Sequence, residues 1–221
     1  MAHYQQTEKL YAKRASFYER FFVNSLGWGT EIETFFRKSN YLGPRSKILD
    51  VGCGTGIATR AVSQLAREKG YSEIVFHAFD QSPEMLAIFH QWIDEQGIKN
   101  IEAKQADVLE IENLPSDWNK YDLIVSSTML EYLPKQRVKD ALMNIRHLLR
   151  EGGVLVVFVT KQNPVTRWLA GTWWKTNLYH EPEIKRLLHS AGFDHLESKS
   201  LSAGWSNSIM VLEAIVHIDF A

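Results

Sequence analysis

The sequence predicts an α/β fold: a doubly wound, mostly parallel sheet covered by helices on both faces. Three observations carry that prediction. From Lys47 onward, short apolar runs alternate with amphipathic stretches of helical period, the pattern of successive strand–helix–strand units. The first run ends in a turn with glycine at every second position, Gly52, Gly54 and Gly56. Such a turn bends sharply and admits a ligand to the main chain. The last two expected strands, near 193–200 and 208–218, have no helix between them, so they should pair antiparallel near one edge of the sheet.

Before the sheet, Leu10, Ala12, Phe17, Tyr18, Phe21 and Phe22 recur at helical spacing, which predicts a helix over 4–24. Gly27-Trp28-Gly29 breaks it, and Thr30 is placed to cap a second helix ending at Arg37. Residues 47–51 then form the first strand and 57–69 the first crossover helix. The second strand spans 74–79; Ser82-Pro83-Glu84 opens the next helix with proline in its first turn, and Gly97 ends it. Residues 101–106 form the third strand. Leu123 to Ser126 form the fourth, whose apolar character makes it central. A helix over 136–149 leads through Gly152-Gly153 into a buried strand, 154–159, and a helix over 182–191 stops at Gly192. Seven strands result. No repeat or linker divides the chain, so one domain is expected over 1–221. Residues 1–44 are its N-terminal cap helices, 45–221 its α/β core, and 161–180 an insert beside the substrate.

Composition narrows the setting. The net charge of −1 provides no global basic field for nucleic acid. Cys53 is the single cysteine, so no intrachain disulfide can form and a reducing compartment is expected. The first residues lack the apolar core of a signal peptide, and the run 154–159 is far shorter than the roughly 20 residues a membrane helix needs. A cytoplasmic protein is the expectation. The eight histidines lack zinc-ligand spacing, so no metal site is expected. The oligomeric state is left open.

The glycine turn carries the chemistry. A dinucleotide site of the G-x-G-x-x-G type needs a third small residue where Ile57 stands; here the third glycine comes one place early, at Gly56. Asp50, at the mouth of the strand, would repel a pyrophosphate and attract an ammonium group. A nucleoside carrying an amino acid therefore fits better than NAD. Residues 48–56, Ile-Leu-Asp-Val-Gly-Cys-Gly-Thr-Gly, resemble the first motif of the class I S-adenosylmethionine-dependent methyltransferases, which share a Rossmann-like seven-stranded sheet. The alternative for the loop is a tight strand-to-helix turn without a ligand.

The resemblance covers roughly 45–218 and implies where S-adenosylmethionine would bind. The amides of Gly52, Cys53, Gly54, Thr55 and Gly56 would face its carboxylate and Asp50 its amino group. Asp80, followed by Gln81, would accept the ribose hydroxyls; an acid at a helix N-terminus is the structural alternative. Asp107 would receive the adenine amine with the Val108 amide beside it, Met85 could pack on the ring, and Ser126, Ser127 and Thr128 would face the methionine tail. In the N-terminal segment, Tyr11 and Tyr18 would cover the cofactor.

For the acceptor, the fourth strand is followed by Ser126-Ser127-Thr128-Met129, not the Asn/Asp-Pro-Pro-aromatic turn of enzymes that methylate exocyclic amines. Leu130-Glu131-Tyr132-Leu133-Pro134 instead resembles the loop of small-molecule and lipid-quinone methyltransferases. Glu131 and Tyr132 are thus candidates for a base or a substrate-orienting pair. In the insert, Trp168, Trp173, Trp174, Tyr179 and His180 would form an aromatic wall for an apolar acceptor. The same residues would equally suit a peripheral membrane contact or a patch on the core. The expected activity is methyl transfer to a small, apolar or lipid-like acceptor. The alternatives are a non-catalytic S-adenosylmethionine-binding protein and, with less support, an NAD-dependent oxidoreductase.

Overall fold

The computed structural model describes residues 27–169 and 176–216. The helix expected over 4–24, with Tyr11 and Tyr18, lies outside the described residues, as do Trp173 and Trp174 of the insert.

The described residues open with α1 (Trp28–Arg37) and continue through β1 (Lys47–Val51), α2 (Ile57–Glu68), β2 (Val75–Asp80), α3 (Pro83–Gln96) and β3 (Ile101–Gln105). They then run through β4 (Tyr121–Ser127), α4 (Val138–Leu148), β5 (Leu149–Thr160), α5 (Pro164–Leu169) and α6 (Glu181–Ser190). They close with β6 (His195–Lys199), α7 (Ala203–Ser206) and β7 (Ile209–Ile215). The seven strands order as β3-β2-β1-β4-β5-β7-β6. All neighbours pair in parallel except β7, which runs antiparallel to both β5 and β6. The closing hairpin thus forms as its lack of a crossover helix requires, with only the one-turn α7 at its tip.

Strand alternation distributes the apolar runs between two layers. Leu123, Val125, Val156 and Phe158 face α1, α2 and α3, whereas Ile124, Leu155, Val157 and Val159 face α4 and α6. Both faces are covered, which is why 123–125 of β4 and 154–159 of β5 are apolar without a break. The order reverses between β1 and β4, and ligands of open α/β sheets bind at the strand C-termini beside such a switch point.

Two local predictions are refined. Ser82 caps α3, its Oγ accepting from the Met85 amide at 3.2 Å with Pro83 next in line. Thr30 does not cap α1: the cap lies three residues earlier, at Gly27 in the left-handed conformation at φ 66°. Packing explains the early start. Trp28 is buried against Phe158 and Trp205, at ring centroid distances of 5.5 and 4.7 Å, so the residue read as part of a breaker is an anchor.

Candidate active site

Burial of β1 on both faces carries Asp50 into a cleft at the switch point, where it is 3% exposed. The Thr59 amide and hydroxyl of α2 both donate to its Oδ2, at 3.1 and 2.7 Å. Its Oδ1 is buried with no hydrogen-bond partner, and so is Thr55 Oγ1 in the glycine loop. Burial pushes the Asp50 carboxyl up to about 6, against the pull of the two Thr59 bonds, with the nearby Asp80 charge adding to the rise. Orphaned acceptors of this kind normally have a partner, and an ammonium group supplies the missing donor and the missing charge.

The glycine loop holds its shape through β2. The Gly52 and Cys53 amides donate to Phe79 O at 2.9 and 3.0 Å, and the Gly54 amide donates to Asp80 Oδ2 at 2.7 Å. Asp80 Oδ1 accepts from the Ser82 amide at 2.8 Å. The Asp80 carboxylate is thus fixed by backbone amides and lines the cleft. Gly52, at φ 70°, is needed twice over: a Cβ there would stand 2.2 Å from Met129 Cγ. Gly56, at φ 83°, starts α2 and faces Phe89 rather than the cleft.

The remaining walls follow strand by strand. After β3 come Ala106, Asp107 and Val108; Asp107 Oδ1 accepts from the Leu109 amide at 2.8 Å, which fixes the loop. Gln81 and Met85 line the cleft from β2 and α3. After β4 come Ser127, Thr128, Met129, Tyr132 and Leu133. Thr128 sits at φ 53°, a strained conformation for a β-branched residue, which the Thr128 amide stabilises by donating to Phe158 O at 2.9 Å. Ser127 Oγ accepts from the Trp28 indole at 3.2 Å, tying α1 to the cleft rim.

Several expected contacts lie elsewhere. Ser126 is fully buried inside β4 and does not line the cleft; alternation along the strand hands that position to Ser127. Glu131 turns away from the cleft as well. Its Oε1 accepts from the Thr160 amide at the end of β5, at 2.5 Å, and burial raises its carboxyl to about 7. Trp168 is 63% exposed on α5, Tyr179 is buried with its hydroxyl 3.5 Å from Leu130 O, and His180 is exposed at the start of α6. None of these three lines the cleft. The sequence reading missed Phe79, Ala106, Met129 and Leu133 as walls; for Ala106 and Met129 a place just after a strand was the available signal, whereas Phe79 lies inside β2 and Leu133 beyond the 130–132 turn.

An open parallel sheet with a glycine cradle at its switch point, and an acid after each of its first three strands, defines a protein that binds an amino-acid-bearing nucleoside. Residues 48–153 match the family model described as a methyltransferase domain. That region is thus similar to a methyltransferase domain, and the fold as a whole to that of S-adenosylmethionine-dependent methyltransferases. The malonyl-[acyl-carrier protein] O-methyltransferase of Paenibacillus sp. is 32% identical over 120 residues, which cover 54% of this chain and 41% of that one. The methyltransferase (CMeT) domain of the citrinin polyketide synthase superposes with a TM-score of 0.70 at 17% identity, over 92% of this chain and 55% of that one. The phosphoethanolamine N-methyltransferase 2 of Haemonchus contortus, solved with S-adenosylhomocysteine, gives 0.68 at 14%, over 91% and 59%. The chain also matches fungal polyketide synthases, of whose length it spans 4 to 8%.

Proposed function

We propose that the protein transfers a methyl group to a small, uncharged and largely apolar acceptor. One observation carries this reading. The cleft is lined by three carboxylates, Asp50, Asp80 and Asp107, with no lysine, arginine or histidine among its described lining residues. An anionic acceptor would find no cationic side chain in the cleft to pair with. That argues against the malonyl group named for one relative, whereas an acyl chain held as a neutral thioester falls within the class. The wall after β4, built from Met129, Tyr132 and Leu133, suits an apolar body with one polar handle at the Tyr132 ring.

When bound, S-adenosylmethionine supplies a methyl group already activated on a sulfonium. The residues of this chain then have three tasks. Asp50 holds the amino-acid end, whereas the Gly52, Cys53, Gly54 and Gly56 amides expected to face the cofactor carboxylate donate within the protein and only shape the loop. Asp80 and Asp107 hold the nucleoside end, and the 127–133 wall excludes water and orients the acceptor. No strong base lines that wall, which agrees with chemistry governed by alignment.

The test incubates the protein and S-adenosylmethionine, labelled on its methyl group, with a whole-cell extract that is then partitioned between water and organic solvent. Label in the organic phase is expected. Label confined to a small aqueous product would overturn the acceptor class. Label in neither phase, with S-adenosylhomocysteine still binding by calorimetry, would favour a binding protein without transfer.

A separate observation favours a membrane-surface contact. On α5, Val165 and Trp168 are 64% and 63% exposed, with Arg167 beside them, and no acid occurs from Lys161 to His180. The protein should pellet with vesicles containing phosphatidylglycerol, and a Val165→Ser/Trp168→Ser variant should stay in the supernatant. Equal behaviour of the two proteins would remove the contact.

A further inference from the structure

Among the ties that hold the acceptor wall from outside the cleft, Asn177 bonds the backbone on both sides of its turn. The turn Leu130–Tyr132 is short, and the Leu133 amide reaches Leu130 O only at 3.4 Å. Asn177 grips both sides of it. Its amide donates to Glu131 O at 2.8 Å and its Nδ2 donates to Leu133 O at 2.7 Å. Asn177 is itself anchored two residues on, where Lys161 and Tyr179 form a parallel bridge and the Gln162 amide donates to Tyr179 O at 2.9 Å. Tyr132 and Leu133 line the cleft and Asn177 does not.

We propose that Asn177 is a positioning residue for the acceptor. By holding the carbonyls of Glu131 and Leu133 it fixes the Tyr132 ring and the Leu133 side chain at the spacing the acceptor requires. The cofactor end of the cleft is set separately, by the Phe79, Asp80 and Thr59 bonds described above, so the two halves answer differently to loss of the grip. This assignment rests on the methyl-transfer reading for its catalytic consequence, although the grip can be measured without it.

Three measurements on Asn177→Ala and Asn177→Asp test the proposal. In Asn177→Ala the backbone bond survives and the side-chain bond is lost, so amide exchange at Tyr132 and Leu133 should quicken by about tenfold, the weight of one hydrogen bond. The dissociation constant for S-adenosylhomocysteine should stay within about twofold, because no cofactor contact changes. With labelled S-adenosylmethionine and an extract dilution series, half-saturation should require about tenfold more extract, with the maximal rate within about threefold. Asn177→Asp keeps the shape but sets a carboxylate oxygen against Leu133 O, so its effects should exceed those of the alanine variant. Unchanged exchange in both variants overturns the grip. Cofactor affinity falling in step with acceptor affinity overturns the positioning role and makes Asn177 a general support. If the wild type transfers no label, the methyl-transfer reading fails, and the exchange data still decide whether Asn177 holds the turn.

Discussion

Asp50→Asn should weaken S-adenosylhomocysteine binding by about a hundredfold, roughly 3 kcal/mol, the cost of removing one partner from a buried charge pair. The substitution keeps the shape, and its side-chain oxygen can still accept from Thr59. What it removes is the negative charge on the buried, partnerless Oδ1. The wild type should show the same dependence through pH. Its carboxyl ionises at about 6, so affinity for the ammonium-bearing ligand should hold above pH 6 and fall towards tenfold per unit below it, a slope the Asn variant lacks. Stability should move the other way. The folded value lies above the unfolded value, so the contribution of this group is full below about pH 4 and is lost as the pH rises through 6. Above pH 6 the Asn variant should therefore be at least as stable as the wild type. Calorimetric titrations at pH 5 and 8 check the affinity, and urea midpoints at the same two pH values the stability; affinity that ignores the substitution would remove Asp50 from the cofactor site.

The parts of this site that were legible in the sequence are those fixed by local geometry. Gly52, Gly54 and Asp50 sit within five residues of one another, and their types state the turn and the charge directly. Asp80 and Asp107 could be placed because each follows a strand, and strand ends gather at a switch point. The misplacements share one cause. Whether Ser126 or Ser127 meets the ligand depends on which face β4 turns inward, and a shift of one residue exchanges them. Glu131 turned inward because the Thr160 amide, 29 residues away, lies at the end of β5. Asn177 reaches Leu133 across 44 residues of chain. Such long-range partners depend on strand order and loop closure, which the residue pattern around them does not encode. Trp28 shows the same effect: flanking glycines suggested a break, and tertiary packing against Phe158 and Trp205 made a helix start.

Glu131→Gln should stabilise the protein at pH 8 and leave it unchanged at pH 4. The carboxyl is 4% exposed, receives the Thr160 amide on one oxygen, and is raised to about 7 chiefly by burial. Its folded value exceeds the unfolded value, so the stability it contributes is complete below about pH 4.5 and disappears as the pH rises through 7. The ionised form then costs the fold up to about 3 kcal/mol relative to a neutral side chain. Glutamine keeps an oxygen for the Thr160 amide and carries no charge, so urea midpoints of the variant should change little between pH 5 and 8 through this group while those of the wild type fall. A variant–wild-type difference that does not depend on pH would show that Glu131 does not titrate in this range. The same variant separates support from chemistry. A group that faces Thr160 rather than the cleft should leave the maximal methyl-transfer rate within about threefold, because a neutral glutamine holds the turn equally well. A hundredfold loss without a change in cofactor affinity would instead return Glu131 to the role of base, and would require the turn to rotate its carboxyl past Tyr132 when the acceptor binds.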